Sequence, residues 1–183
     1  MSAGSDGSSR LRLDLKVGYS CNNRCVFCVQ GDKRDRLSDR TTEELRELLS
    51  ERRTQTDSVV LTGGEVTLRE DLLELVRYAR TLGYTTIQLQ TNGRRLSYKP
   101  YVRALVAAGV TEVSPALHGS SPETHDRLTR SRGAFQQVVH GIENVRDAGL
   151  PVISNSVVVE SNYREMPDLV RLLVRLRVSQ LQL

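Results

Sequence analysis

Short apolar or β-branched runs alternate along this chain with longer stretches whose apolar residues recur three and four apart, which predicts strands followed by amphipathic helices. Leu11–Val17 predicts a first strand. Thr41 and Glu44 form a capping-box pattern ahead of Leu45, Leu48 and Leu49, so the first helix is expected to start there. A second strand falls at Ser58–Thr62. Thr67 and Glu70 repeat the capping pattern before Leu72, Leu75, Val76, Ala79 and Leu82, and Gly83 supplies the stop. Thr85–Thr91 predicts a third strand, followed by a helix over Pro100–Ala108 that ends at Gly109. A fourth strand is expected at Thr111–Leu117, then a short helix from Ser121-Pro122. Phe135, Val138, Val139, Ile142 and Val145 mark a longer helix closed by Gly149. A fifth strand (Val152–Val159), a helix carrying Met166, Leu169, Val170, Leu173 and Leu176, and a sixth strand at Ser179–Leu183 complete the pattern.

Strand and helix alternating this regularly imply βα units around a parallel sheet, either open or barrel-like. The side-chain parity sharpens that choice. Gln88 and Gln90, then Ser114, Ala116 and His118, then Gln180 and Gln182 share one face, while Ile87, Leu89, Val113, Leu117, Leu181 and Leu183 share the other. A closed eight-stranded barrel fills its lumen with branched apolar side chains. A polar interior in about six strands instead predicts an incomplete, splayed barrel with room for a ligand. The chain stops directly after the sixth strand with no covering helix, so we expect it to be part of something longer.

At 183 residues the chain is long enough for one sizeable core. Residues 1–9 are small and polar and are expected to be a disordered lead-in, with residues 10–183 forming the core domain. The net charge of +4 comes from arginines interleaved with Glu and Asp on helical faces, a solvated pattern that gives no reason to expect nucleic acid. No apolar run approaches the roughly 20 residues that span a membrane. Three clustered cysteines make a poor disulfide framework and fit a reducing, cytoplasmic setting.

Those three cysteines are the chain's only ones, and they sit together as Cys21-Asn22-Asn23-Arg24-Cys25-Val26-Phe27-Cys28. Four-cysteine runs hold electron-transfer clusters, and structural zinc normally takes four protein ligands. Three thiolates on a [4Fe-4S] cluster leave one iron open to another ligand. The cysteine loop follows the C-terminal end of the first strand, Gly63-Gly64-Glu65 follows the second, Thr91-Asn92-Gly93 the third, and His118-Gly119 the fourth. In parallel βα architectures these ends share one face, where ligands bind. Two successive glycines allow close backbone approach to a ligand, and Glu65 offers a carboxylate suited to a ligand ammonium.

The cysteine spacing, the Gly-Gly-Glu-Val-Thr segment and the later Thr-Asn-Gly together resemble the radical S-adenosylmethionine (SAM) superfamily over nearly all of residues 11–183. The resemblance implies a partial (β/α)6 barrel of TIM type, a [4Fe-4S] cluster on Cys21, Cys25 and Cys28, and SAM bound through its amino and carboxylate groups to the open iron. It implies reductive cleavage of SAM to a 5′-deoxyadenosyl radical, acting on an unknown substrate in peptide or cofactor maturation. It also implies an electron donor such as flavodoxin or ferredoxin. By matched position Phe27 lies near the adenine, and Gly63, Gly64 and Glu65 bind the methionyl part. Several positions depart from the family's pattern. Val66 replaces the proline that usually follows Gly-Gly-Glu, and Ala116-Leu117-His118-Gly119 stands where many relatives have Ser-Leu-Asp-Gly. Ser114 is the candidate substitute for the missing hydroxyl, and Asn155 matches a position that approaches the SAM ribose. Thr129 and Arg130 fall where a carboxylate-binding arginine often sits. Two rival readings stay open on the residues alone: an iron–sulfur protein that binds SAM or carries electrons without catalysis, and a zinc site completed by a histidine.

Overall fold

The computed structural model describes residues 11–183; the expected lead-in over residues 1–9 lies outside the described residues. Six parallel strands and six helices alternate: β1 (Leu13–Lys16), α1 (Thr42–Arg52), β2 (Ser58–Thr62), α2 (Leu72–Thr81), β3 (Thr86–Thr91), α3 (Lys99–Ala108), β4 (Glu112–Pro115), α4 (Pro122–Thr129), α5 (Ala134–Asp147), β5 (Ile153–Asn155), α6 (Met166–Arg175) and β6 (Gln180–Gln182). Strands β1 to β4 pair in sequence order, and β5 pairs with β6. The two sheets are stitched by single bridges, Val113 to Val152 and Ala116 to Asn155. The result is the expected splayed partial barrel rather than a closed one.

The sheet's outer face and the helices make the core. Leu15, Val59, Leu61, Ile87, Leu89, Val113 and Leu117 pack beneath Leu45 and Leu49 of α1, Leu75, Val76 and Ala79 of α2, Val102 and Leu105 of α3, and Val138, Ile142 and Val145 of α5. Each of the branched side chains among these, fully buried, contributes about 1.5–3 kcal/mol. The inner row is polar. Thr62 donates to Gln90 at 2.6 Å, Gln88 donates to Glu112 at 2.9 Å, and the Ala116–Asn155 bridge brings Asn155 onto the same inner row.

Local rules succeeded where their partners were also local. The Thr41–Glu44 capping box forms in full. The one expected at Thr67–Glu70 does not. Thr67 lies inside a 3-10 turn over Val66–Leu68, its hydroxyl and N–H both bound to the Glu65 carboxylate, and α2 begins only at Leu72 behind an uncapped Asp71. β5 is shorter than Val152–Val159 because the Asn162 side chain takes over the backbone beyond it. Its amide donates to Val157 O and His118 O, both at 2.8 Å, and its carbonyl accepts from Val159 N at 2.7 Å. Val170 and Leu183, expected on apolar faces, are 45% and 76% exposed.

Candidate functional site

The long loop between β1 and α1 carries the cysteines and is held at both ends. Asp39 Oδ1 accepts from the backbone N–H of Tyr19 at 2.5 Å and of Ser20 at 3.0 Å, joining the loop's end to its start. Arg69 donates to Val17 O and Arg40 O while gripping Asp71 with two further bonds. Desolvation raises the Asp39 carboxyl, but the bonds from Ser20 and Tyr19 and the Arg69 charge outweigh it and hold the group below its usual range. In the middle, Arg24 N and Val26 N bond to Thr129 O and Leu128 O at the end of α4. The motif is thereby laid across the barrel mouth.

Asn23, only 2% exposed, is the loop's hub. Its N–H donates to Cys21 Sγ at 3.4 Å, its carbonyl accepts from Arg34 at 2.7 Å, and its side-chain oxygen accepts from Arg94 at 3.0 Å. Arg94 also donates to Asn22 O at 2.8 Å, and Asn92 donates to Asn22 Oδ1 at 2.6 Å. The Thr-Asn-Gly segment therefore clamps the cysteine loop from the β3 side.

Gly63-Gly64-Glu65 packs against the same loop. A Cβ on Gly64 would stand 2.3 Å from Ser20 O and 2.4 Å from Tyr19 O, and Gly63, at φ +141°, approaches Gly18 O. Gly64 N and Glu65 N donate to Gly18 O and Ser20 O at 2.9 and 2.8 Å. The close approach that two glycines imply is thus made to the chain's own backbone. Glu65, 3% exposed, takes four donors from the protein. Oε1 accepts from Thr67 N, Thr67 Oγ1 and Thr91 Oγ1 at 3.0, 2.6 and 2.5 Å, and Oε2 accepts from Asn92 N at 2.5 Å.

Cys21, Cys25 and Cys28 are free thiols, partly exposed, lining a cavity of about 250 Å³ together with Gly63, Gly64, Gln90, Ala116, His118 and Asn155. Phe27, Glu65 and Ser114 stand outside that lining. Phe27 meets the His118 ring edge-on at 4.7 Å, and Ser114 is buried with its hydroxyl unpaired. Desolvation, reinforced by the charges of Cys21 and Cys28, pushes the Cys25 thiol up to about 11. Cys21 is raised too, desolvation again leading.

His118 and His125 form a second buried group. Their rings stack at 5.7 Å. His125 Nδ1 accepts from His118 N and His118 Nδ1 accepts from Val157 N, both at 3.1 Å, so each ring carries its proton on Nε2. Burial, with the neighbouring His125 charge, lowers His118 to about 3; burial lowers His125 to about 4 against the opposing pull of Asp126.

The radical SAM superfamily model matches residues 15–173. The chain belongs to the radical SAM superfamily. It is 35% identical over 173 residues to a probable GTP 3′,8-cyclase of Saccharolobus islandicus, and that alignment covers 93% of this chain and 55% of the relative. It is 32% identical to the mycofactocin maturase MftC of Mycolicibacterium smegmatis, covering 93% of this chain and 44% of that one. The chain thus spans about half the length of the curated relatives it matches. Among solved structures, Streptococcus suis SuiB bound to S-adenosylmethionine superposes with a TM-score of 0.78 at 19% identity, covering 94% of this chain and 40% of SuiB. Methylornithine synthase PylB superposes with a TM-score of 0.76 at 17% identity, covering 93% and 51%.

Radical SAM enzymes use a [4Fe-4S] cluster and SAM, and the residues present fit that pair. Among the described residues no three His, Cys, Asp or Glu side chains stand close enough to hold a single metal ion. The three thiols share one cavity wall. Two buried polar atoms beside them, Arg34 Nε and Gln30 Oε1, have no partner in the protein. Reading from sequence missed Arg34, Asp39, Arg69 and Arg94. The only signal was an unusual density of charge in 32–40 and 94–95, which a solvated loop would show equally.

Proposed function

We propose that this chain is the cluster-binding core of an enzyme that cleaves SAM reductively, with Cys21, Cys25 and Cys28 as the cluster's ligands. The observation that carries the reading is the convergence of the three thiols, the Gly63-Gly64 backbone and Asn155 on one cavity inside a polar barrel mouth. Cluster and SAM, when bound, supply one-electron cleavage of a carbon–sulfur bond and so a 5′-deoxyadenosyl radical that takes a hydrogen atom from substrate. The chain's own residues hold and shield that pair. The Gly63-Gly64 loop carries the methionyl end, with Glu65 bracing it from behind rather than reaching in. Asn155 lies on the ribose side, Phe27 supports the adenine end through His118, and Ser114 sits beneath the wall.

A substrate in peptide or cofactor maturation accords with the names of the relatives. So does SuiB, which has been crystallised with its precursor peptide SuiA. An acidic one-electron donor of flavodoxin or ferredoxin type, in a reducing cytoplasm, completes the proposal. No helix of the described residues is long and apolar enough to cross a membrane.

The test is anaerobic reconstitution. The chain should take up about four irons, and Cys25→Ala should take up none as a cluster. Reduced with dithionite and given SAM, the loaded protein should release 5′-deoxyadenosine. SAM binding without that product, in the full-length protein as well as in this chain, would favour a non-catalytic cluster protein instead.

A further inference from the structure

Arg34 is the one cation on the cysteine loop with a buried donor left over. It lies on the segment after Cys28, outside the cysteine motif, and its Nη1 is anchored to the carbonyl of Asn23 at 2.7 Å, between Cys21 and Cys25. Its side chain forms wall for two cavities at once. One is the 250 Å³ chamber shared with all three cysteines, and the other is an outer pocket of about 190 Å³ that also touches Cys25 and Cys28. Nε is buried and has no acceptor. Among the described residues no carboxylate pairs with this guanidinium. Asp35 lines the outer pocket, beside Arg24 and Arg130, without bonding to Arg34.

A buried guanidinium N–H with no acceptor and no counter-ion is costly unless an anion completes it. Both cavities that Arg34 lines are also lined by Cys25 and Cys28. A cluster held there is anionic, and its thiolate and sulfide sulfurs accept hydrogen bonds. We propose that Arg34 donates its Nε–H to a sulfur on the Cys25–Cys28 side of the cluster and thereby raises the cluster's reduction potential. Reduction adds one negative charge to the cluster. A fixed positive charge and a directed N–H stabilise that state more than the oxidised one. Arg34 thus makes the electron from an external one-electron reductant easier to accept. The proposal rests on cluster binding at the three cysteines.

The test uses the chain with its arginines labelled with nitrogen-15, reconstituted anaerobically, reduced with dithionite and left without SAM. Pulsed EPR of the reduced cluster should show a nitrogen-15 hyperfine coupling that disappears in Arg34→Gln. In redox titrations Arg34→Gln should lower the reduced-to-oxidised ratio at fixed potential by about tenfold, a shift of about 59 mV for one electron, with Arg34→Lys between the two. Equal potentials in wild type and Arg34→Gln, or a coupling that survives the substitution, overturn the proposal. Should Arg34→Gln fail to load iron, the wild-type spectrum decides by itself: a coupling supports the bond and its absence overturns it. A cluster that forms and cleaves SAM but lacks the coupling removes only Arg34's role, whereas a wild-type chain that takes up no cluster overturns both.

Discussion

Two loops meet at the mouth of the barrel, and they are built on opposite plans. In the Gly63–Glu65 loop the bonds run to the protein itself: Gly64 N and Glu65 N donate to the cysteine loop's backbone, and the Glu65 carboxylate alone takes four donors. In the cysteine loop the anchoring bonds sit at the ends, at Asn23 and where Arg24 N and Val26 N meet α4, while Arg34 Nε and Gln30 Oε1 are buried and unpaired and three thiols are raised or half-covered without bonds between them. A loop bonded in this way is scaffold in the apo fold. A loop with buried, unpaired polar groups is one whose last partners come from outside. The Glu65 carboxylate, whose four donors all come from the protein, is on the scaffold side of this comparison in the apo fold.

The strongest way to break this contrast is Gly64→Ala. The added methyl would sit inside contact distance of Ser20 O and Tyr19 O, both backbone atoms that the Gly64 and Glu65 ladder holds in place. Neither loop can yield without losing the other's bonds. We expect the apo chain to lose more than about 4 kcal/mol in urea unfolding, in the range reserved for steric failure of a buried backbone. A loss under 1 kcal/mol would mean that the two loops are not in fact locked together.

Next comes Glu65→Ala, which strands the buried donors of Thr67, Thr91 and Asn92 and should cost the apo chain about 3 kcal/mol. The measurement separates scaffold from ligand contact, because no SAM is present. Unchanged apo stability with weakened SAM binding would move Glu65 to the ligand side of the comparison.

What was legible in the sequence follows the same divide. Strand and helix order, the inner polar row and the Thr41 cap depended on periodicity or on neighbours three residues away, and they are present as expected. The Gly-Gly step was legible as a close approach, but the approaching atoms belong to Tyr19 and Ser20, some forty residues earlier. The Thr67 cap failed because its hydroxyl answers to Glu65. Asp39, Arg69 and Arg94 act across 19 to 72 residues of chain, and nothing in their own surroundings distinguishes them from solvated charge.

The histidine pair lies on the border between the two plans. Each Nδ1 is satisfied, while His125 Nε2 is buried without a partner and His118 lines the cavity. Both folded pKa values lie below the ordinary 6.5, at about 3 and about 4, so the fold binds neutral rings and the unfolded chain binds protons first. Stability from this source is complete above pH 6.5 and is lost as pH falls toward 4, at up to about 1.4 kcal/mol per pH unit for each ring. One unit below 6.5 the pair together should have lost about 3 kcal/mol relative to high pH. A His118→Asn, His125→Asn double variant should flatten that slope. A wild-type profile already flat between pH 7 and 5 would show the rings to be solvated and the cavity wall open there.

The smallest expected effect is the most discriminating. Cys25→Ser in the apo chain changes one half-covered sulfur that bonds to nothing, on a loop whose anchors at Asp39, Asn23 and α4 remain intact. Its unfolding midpoint should stay within about 0.5 kcal/mol of wild type, the range of a substitution away from any packed or bonded feature. The same substitution should abolish stable iron uptake, because a cluster has no third sulfur to hold it. A residue that is nearly silent in the apo fold and decisive on loading is what an unsaturated loop predicts. If Cys25→Ser instead unfolded the apo chain as Gly64→Ala does, the cysteine loop would be scaffold as well, and the distinction between the two sides of the barrel mouth would fail.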